Sequence, residues 1–328
     1  MPLDFYKSKK YKSPDTYAVK HCDLSVRMES RSGGIFTALS DVVLEQGGVI
    51  YGCVLTDSFN AVHIRAETPE QRDAMRGSKY IQSEMTDMFK QVKKDLEGGR
   101  QVLFSGTSCQ VSGLSAFLGK DYDNLLLVDI VCHGVPSPKV WQKYLSWQEK
   151  LADSKVIGVD FRNKHYFGWA AHHESLFMLN GKQVNSEVFK NLFYGHYILR
   201  PSCYKCPYKD VIHPGNITIA DYWGIQKIAP SFDDNKGVSL VMINDNKGRE
   251  WFQKVNKYLE IIETRIEDSL QPPLQRPFER PKNRTQFWNM METKSFEAVA
   301  KKYGGYGEWN WIKRHIKASI RKLLRKAK

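Results

Sequence analysis

Residues 101–132 read QVLFSGTSCQVSGLSAFLGKDYDNLLLVDIVC, and the succession of patterns within them decides the fold. Gln101 to Ser105 is a short apolar run, Cys109 to Leu118 has helical character, and Asn124 to Cys132 is a longer run of Leu, Val and Ile. Neither run alternates polar with apolar residues, so strands made from them need cover on both faces. Further on, Pro138 to Leu151 places a proline in the first turn of a helix, and Lys155 to Phe161 reads as a third strand. Strand, helix, strand, helix, strand implies an α/β fold with a mainly parallel sheet flanked by helices.

The flanking sequence extends this reading. GGIFTALSDVVLE, residues 33–45, places Ile35, Leu39, Val42 and Val43 at helical spacing, and Gly47-Gly48 ends the helix. Val49 to Leu55 and Ala61 to Ala66 form a strand and its hairpin partner, and Glu84 to Leu96 is an amphipathic helix. Asn180-Gly181 centres a second hairpin over His172 to Val184. Ile217 to Asp221 and Val238 to Asn244 are later strands, and Gly248 to Leu259 is a helix. The expected organisation is a basic lead-in (1–16), an N-terminal part (17–100), a C-terminal part (101–270), and a proline-rich linker with a helical tail (271–328).

The 328 residues are 41% hydrophobic and 12% aromatic, which excludes a disordered chain. No run reaches the roughly 18 apolar residues of a membrane span. The N-terminus has no apolar signal core, so a cytoplasmic, reducing location is expected. The net charge is +13, and eight Lys or Arg with no acid fall between Trp309 and Lys328. There Trp309, Ile312, Ile316, Ile320, Leu323 and Leu324 take one face of a basic amphipathic helix. Such a helix suits peripheral contact with a membrane surface at its inner face, or docking onto an acidic partner. No nucleic-acid fold motif accompanies the charge.

In a reducing compartment, clustered cysteines point to metal or redox chemistry rather than disulfides. Cys203 and Cys206 form a C-x-x-C followed by Pro207. Cys109 and Cys132 each follow an apolar strand, at the sheet edge where α/β ligand sites form. Together they make a four-thiolate set that either structural zinc or an iron-sulfur cluster could claim. Cys22 and Cys53 sit in contexts that suggest no ligand role. Ser32, Gly33 and Gly34 precede a helix, where free amides suit a phosphate and Arg31 adds charge. Gly106 and Thr107 lie in a second such loop, and Arg76-Gly-Ser-Lys-Tyr-Ile-Gln-Ser83 is a third polar loop. Neither the dinucleotide fingerprint nor the P-loop is present.

The order of Ser32-Gly-Gly34, Arg76-Gly-Ser-Lys-Tyr80 with Gln82-Ser83, Ser105-Gly-Thr-Ser-Cys-Gln110, Cys132-His-Gly-Val-Pro136, Cys203-x-x-Cys206 and Ala220-Asp-Tyr-Trp-Gly224 resembles one family. It is the beta-subunit family of the coenzyme factor-420 hydrogenases and dehydrogenases, in its bacterial, polysaccharide-biosynthesis-associated branch. The likeness runs from about Tyr17 to about Lys257. It implies FAD in the N-terminal part and a 4Fe-4S cluster on Cys109, Cys132, Cys203 and Cys206. Ser32, Gly33, Gly34, Lys79, Tyr80 and Gln82 match motifs placed around the flavin. Lys79 is then a candidate to stabilise reduced flavin, and His133 to tune the cluster. Two departures stand out. No ferredoxin-type C-x-x-C-x-x-C run is present, which implies an external ferredoxin or redox partner subunit. The family's usual Gly-Thr-Pro-Cys is Gly-Thr-Ser-Cys here. The expected function is an oxidoreductase acting on a small-molecule or sugar-linked substrate. The alternatives are a metal-stapled electron-transfer or scaffold subunit and a polysaccharide-modifying transferase.

Overall fold

The computed structural model describes residues 7–307. Its strands, in chain order, are β1 (Asp15–His21), β2 (Val49–Leu55), β3 (Ala61–Ala66), β4 (Val102–Thr107), β5 (Leu125–Ile130), β6 (Val156–Asp160), β7 (Glu174–Met178), β8 (Gln183–Ser186), β9 (Ile217–Asp221), β10 (Ser239–Ile243) and β11 (Leu259–Thr264). Eight of them form one sheet in the order β11-β1-β10-β9-β5-β4-β2-β3. Its centre, β2, β4, β5 and β9, is parallel, and antiparallel strands close both edges. The α/β architecture therefore stands, and the sheet draws strands from both sides of residue 100.

The apolar runs are continuous because both faces of the sheet are covered. Ile50, Leu103, Leu126 and Val128 pack with Ile35, Leu39 and Val43 of the helix Ile35–Glu45 and with Trp251 and Val255 of the helix Asn246–Val255. Their chain neighbours Val49, Tyr51, Val102, Phe104 and Leu125 point the other way. They meet Val92 and Leu96 of the helix Met88–Glu97 and Val111 and Leu114 of the helix Ser108–Leu118. Alternate residues thus serve two cores, each buried aliphatic side chain contributing about 1.5–3 kcal/mol by transfer from water.

The stretch expected as a third parallel strand behaves differently. As β6 it leaves the large sheet and pairs antiparallel with β7, which pairs with β8 to form a separate three-stranded sheet. Only Val156 of β6 is buried, Ile157 is open to solvent, and the register shifts between Val156 and Gly158. A strand so exposed cannot sit in a sheet covered on both faces. The Asn180-Gly181 hairpin forms as expected, with Gly181 at φ +80°. This sheet packs on an aromatic core of Trp141, Tyr144, Phe161, Phe189 and Phe193. Two C-terminal helices, Arg284–Thr293 and Phe296–Tyr303, close that core through Phe287, Met291 and Val299.

Other boundaries move for local reasons. The helix expected to begin at Glu84 begins at Met88, because Glu84 bridges to Val62 beside β3. The helix expected to reach Leu259 ends at Val255, and Leu259 opens β11. No helix among the described residues is long and apolar enough to cross a membrane. The basic amphipathic tail expected over 309–328 lies outside the described residues.

Candidate functional site

The carboxyl ends of the parallel strands β4, β5 and β9 face one cavity of about 630 Å³. That is the edge of an open α/β sheet where ligands bind. Ser32, Gly34, Lys79, Tyr80, Gly106, Thr107, Cys132 and His133 all line it. Chain segments far apart in sequence therefore meet at one place.

Two of the residues expected around the flavin are not in the wall. Gly33 is locked in the backbone crossing beneath it. Its N–H donates to Ser239 Oγ at 2.8 Å, and its carbonyl accepts from the His21 N–H at 2.7 Å. A Cβ there would run into the Val19 carbonyl and lie 2.6 Å from Ser239 N. Ser32 Oγ donates to the Val238 carbonyl at 2.7 Å. The Ser-Gly-Gly turn is thus clamped onto β1 and β10, and it presents Gly34, at φ +95°, with Ile35 and Phe36 to the cavity as the first turn of a helix. Gln82 has an exposed side chain, and its N–H donates to the Pro136 carbonyl at 3.0 Å.

Lys79 faces the cavity with its ammonium turned into its own loop, donating to the carbonyls of Ala74, Arg76 and Gly77 at 2.9, 2.6 and 3.4 Å. Burial pushes its pKa down from 10.5 to about 8, and the Cys53 thiol acts in the opposite sense. His133 stacks on Phe278 with ring centroids 4.0 Å apart, and its Nε2 lies 3.1 Å from His196 Nε2. Burial, then His196 and Lys209, push its pKa down to about 3, so the ring is neutral at physiological pH.

The four expected ligand thiols come from three segments. Cys109 sits in the first turn of its helix, 3.2 Å from Thr107 Oγ1. A capping box between Thr107 and Gln110 fixes that turn, and Gln110 Nε2 donates to Ser83 Oγ at 2.8 Å. Cys132 follows β5, with Lys209 donating to its carbonyl. Cys203 lies in the short turn Pro201–Lys205 and accepts from the Val135 N–H at 3.4 Å. Cys206 accepts from the Tyr208 N–H. All four are free thiols. Burial raises the Cys132 thiol to about 12, with Lys209 opposing and the charges of Cys109, Cys203 and Cys206 adding to the rise. The four therefore occupy one electrostatic neighbourhood, although no group of three or more His, Cys, Asp or Glu among the described residues is drawn tightly enough to hold a metal ion.

One stretch of the wall holds Arg162, to which sequence reasoning gave no role, and Arg31, expected only to add charge beside the Ser32–Gly34 turn. Arg162 Nη1 donates to Asp221 Oδ2 at 2.7 Å, and Arg31 Nε lies 3.7 Å from the same oxygen. Trp169 Nε1 donates to Asp221 Oδ1 at 2.8 Å, and Trp169 stacks on Trp223 at 4.9 Å. Asp221 and Trp223 were visible as a motif, whereas nothing in the sequence marks Arg162.

No curated protein matches this chain. Among solved structures, the F420-reducing NiFe hydrogenase complex from Methanosarcina barkeri contains a chain of the same fold. The match covers 92% of this chain and 94% of that one, with a TM-score of 0.53 and 18% identity. The sequence profile that describes the C terminus of the coenzyme F420 hydrogenase/dehydrogenase beta subunit matches residues 99–269, just over half of the chain. That span holds the strand ends β4, β5 and β9 and all four clustered thiols, and by this match the protein belongs to the coenzyme F420 hydrogenase/dehydrogenase beta-subunit family.

Proposed function

We propose that this chain is a flavin- and iron-sulfur-dependent oxidoreductase, with FAD in the cavity and a 4Fe-4S cluster on Cys109, Cys132, Cys203 and Cys206. One observation carries the reading: the C-x-x-C segment is bonded to the Cys132 segment, through the Val135 N–H on Cys203 and Lys209 on the Cys132 carbonyl, and Cys132 also lines the cavity. The donor set suits a cluster: four thiols with no histidine among them, and Pro207 directly after the second cysteine of the C-x-x-C, as in ferredoxin-type ligation. The N–H groups of Val135 and Tyr208, aimed at the sulfurs of Cys203 and Cys206, are the kind of donor that stabilises cluster thiolates.

When bound, FAD supplies hydride exchange with an organic substrate and the cluster supplies one-electron exchange with an external ferredoxin or redox partner subunit. The protein's own part is position and field. The helix N-terminus at Gly34, Ile35 and Phe36 offers amides and a positive dipole end to a flavin phosphate. Gly106 and Thr107 leave backbone on the cavity wall. Lys79, charged below about pH 8 and held by the carbonyls of its own loop, would lend positive field to the cavity wall and so favour an anionic reduced flavin. Neutral His133, stacked on Phe278, forms the wall beside Cys132. The substrate is a small or sugar-linked molecule, a use in polysaccharide biosynthesis accords with the resemblance, and the setting is cytoplasmic.

The test is anaerobic purification followed by a visible spectrum and assays for iron, sulfide, flavin and zinc. Flavin bands over a broad thiolate-iron absorption, with about four irons per chain, are expected. A colourless protein with stoichiometric zinc overturns the proposal.

A further inference from the structure

The wall made by Arg31, Arg162, Asp221 and Trp223 has no part in the proposed flavin and cluster sites; Arg31, expected to add charge at the Ser32–Gly34 turn, spends its guanidinium on Asp221 and on the Trp169 and Arg162 carbonyls instead. Arg31 and Arg162 belong to segments 131 residues apart, yet their side chains are only 11% and 4% exposed. They share one carboxylate, that of Asp221. Backbone carbonyls take further protons: Arg31 donates to Trp169 and Arg162, and Arg162 to Trp169 and Ala171. The Nε–H of each arginine has no hydrogen-bond partner.

The charges around this wall do not cancel. Lys164 Nζ lies behind it, bonded to the carbonyls of Arg27, Ser30 and Lys236; burial, then Arg31 and Arg27, push its pKa down to about 7, so it adds part of a positive charge near neutrality. Arg27 is neutralised by Asp234. Asp160 accepts from the Arg162 backbone N–H and acts on Arg31 as a more distant negative group. Glu29 is exposed and faces His165. His172, also near both arginines, is held neutral by burial and by their charge. Two buried guanidiniums and a buried lysine thus face two carboxylates. Buried charge is expensive unless paired and hydrogen-bonded. Tyr80 bonds to Arg162 and lines the cavity with Tyr194, placing two phenols beside the guanidiniums. Trp223, 37% exposed, forms an apolar shoulder next to them.

We infer that this wall recognises an oxyanion, a carboxylate or a phosphate, carried by an organic substrate whose apolar part lies along Trp223. The inference rests on the flavin-and-cluster reading of the cavity and assigns it a substrate class, organic anions. Guanidiniums suit such groups because their planar fork matches an oxyanion's geometry.

The whole protein, with and without FAD, is dialysed to equilibrium against labelled inorganic phosphate and, separately, labelled succinate, while tryptophan fluorescence is followed. Saturable uptake of about one anion per chain is expected, weakened roughly tenfold or more in Arg31→Gln, the effect of losing a charge-assisted bond. Uptake is unchanged in Arg249→Gln, a surface arginine paired with Asp15. The tighter of the two probes identifies phosphate or carboxylate. FAD affinity stays unchanged in Arg31→Gln. No saturable uptake, uptake undiminished in Arg31→Gln, or FAD affinity falling in step with anion uptake overturns the inference, the last because the arginine would then serve flavin phosphate. Should Arg31→Gln not fold, Trp223→Phe decides: the fluorescence response is lost while dialysis still shows uptake, and a response that survives places the anion elsewhere and overturns the inference. Anion uptake without any FAD binding supports the anion site and refutes the flavin reading alone.

Discussion

Asp129 Oδ2 lies 2.7 Å from His213 Nδ1, and both residues are sealed from solvent. Asp129 Oδ1 accepts from Thr218 Oγ1 at 2.6 Å, and Ser108 Oγ lies 3.2 Å from the same His213 nitrogen. The pair ties the segment after Cys206 to β5, three residues before Cys132, and to the helix that begins beside Cys109. With the Lys209 bond to the Cys132 carbonyl and the Val135 N–H on Cys203, it fastens the C-x-x-C segment to the one that carries Cys132.

Asp129→Ala should therefore loosen that segment and leave His213 and Thr218 without their acceptor. Loss of one member of a buried, hydrogen-bonded pair is worth about 3–5 kcal/mol. Urea unfolding of the purified protein measures it, and a loss under about 0.5 kcal/mol, typical of a surface change, would show that the pair does not fasten the segment.

Cys203→Ser and Cys206→Ser should each lower iron content sharply while leaving the secondary structure intact, since both are only half-buried, in and just after a short turn at the margin of the aromatic core, and serine is close to cysteine in size. Iron and sulfide assays beside far-ultraviolet circular dichroism separate the effects. Unchanged iron in both variants would remove these residues from the ligand set.

Gly33→Ala has no room, because its Cβ would collide with the Val19 carbonyl and Ser239 N. Backbone cannot swing aside as a side-chain tip can, so a loss of about 1–3 kcal/mol or more is expected. Gly77→Ala is the contrast: nothing lies within 4 Å of its Cβ, and only the φ of +78° opposes the change. Thermal melts of the two variants should rank Gly33→Ala as the more damaged, and the reverse order would contradict the clamped turn.

Glu174 is buried against Tyr144 and the Phe189 N–H, with Oε2 unpartnered. Burial raises its pKa from 4.5 to about 7, opposed by hydrogen bonds from backbone N–H groups. A raised carboxyl binds its proton more tightly in the folded state. This residue's contribution is therefore fully present below about pH 4.5 and is lost as the pH rises through about 7. Glu174→Gln removes that loss, so the variant should gain in melting temperature relative to wild type at pH 8 but not at pH 4.5. A difference independent of pH would show that the carboxyl is not raised.

Much of the sheet was legible because its signals are local. The runs at 102–104 and 125–128 are apolar on both faces wherever they are placed, so they announce strands with helices on either side. The C-x-x-C and the turn at Ser32-Gly34 are equally local, and Thr107 with Gln110 offered a capping-box signal that went unread. Lys155 to Phe161 shows the boundary of this reasoning. Its strand propensity is a property of the segment, but its partner is chosen by tertiary competition, and the hairpin that follows it won.

The sequence alone therefore determined most of the strands and helices around the parallel centre, and which residues offer thiols, because periodicity and turn chemistry act over a few neighbours. Only the tertiary structure decided what meets what. It put Cys132 in reach of Cys203 and Cys206, moved Gly33 out of the wall, and joined Arg31 to Arg162 through Asp221. Those contacts span long stretches of chain, and the packing of two cores around the ends of β4, β5 and β9 makes them, with no local pattern to announce it.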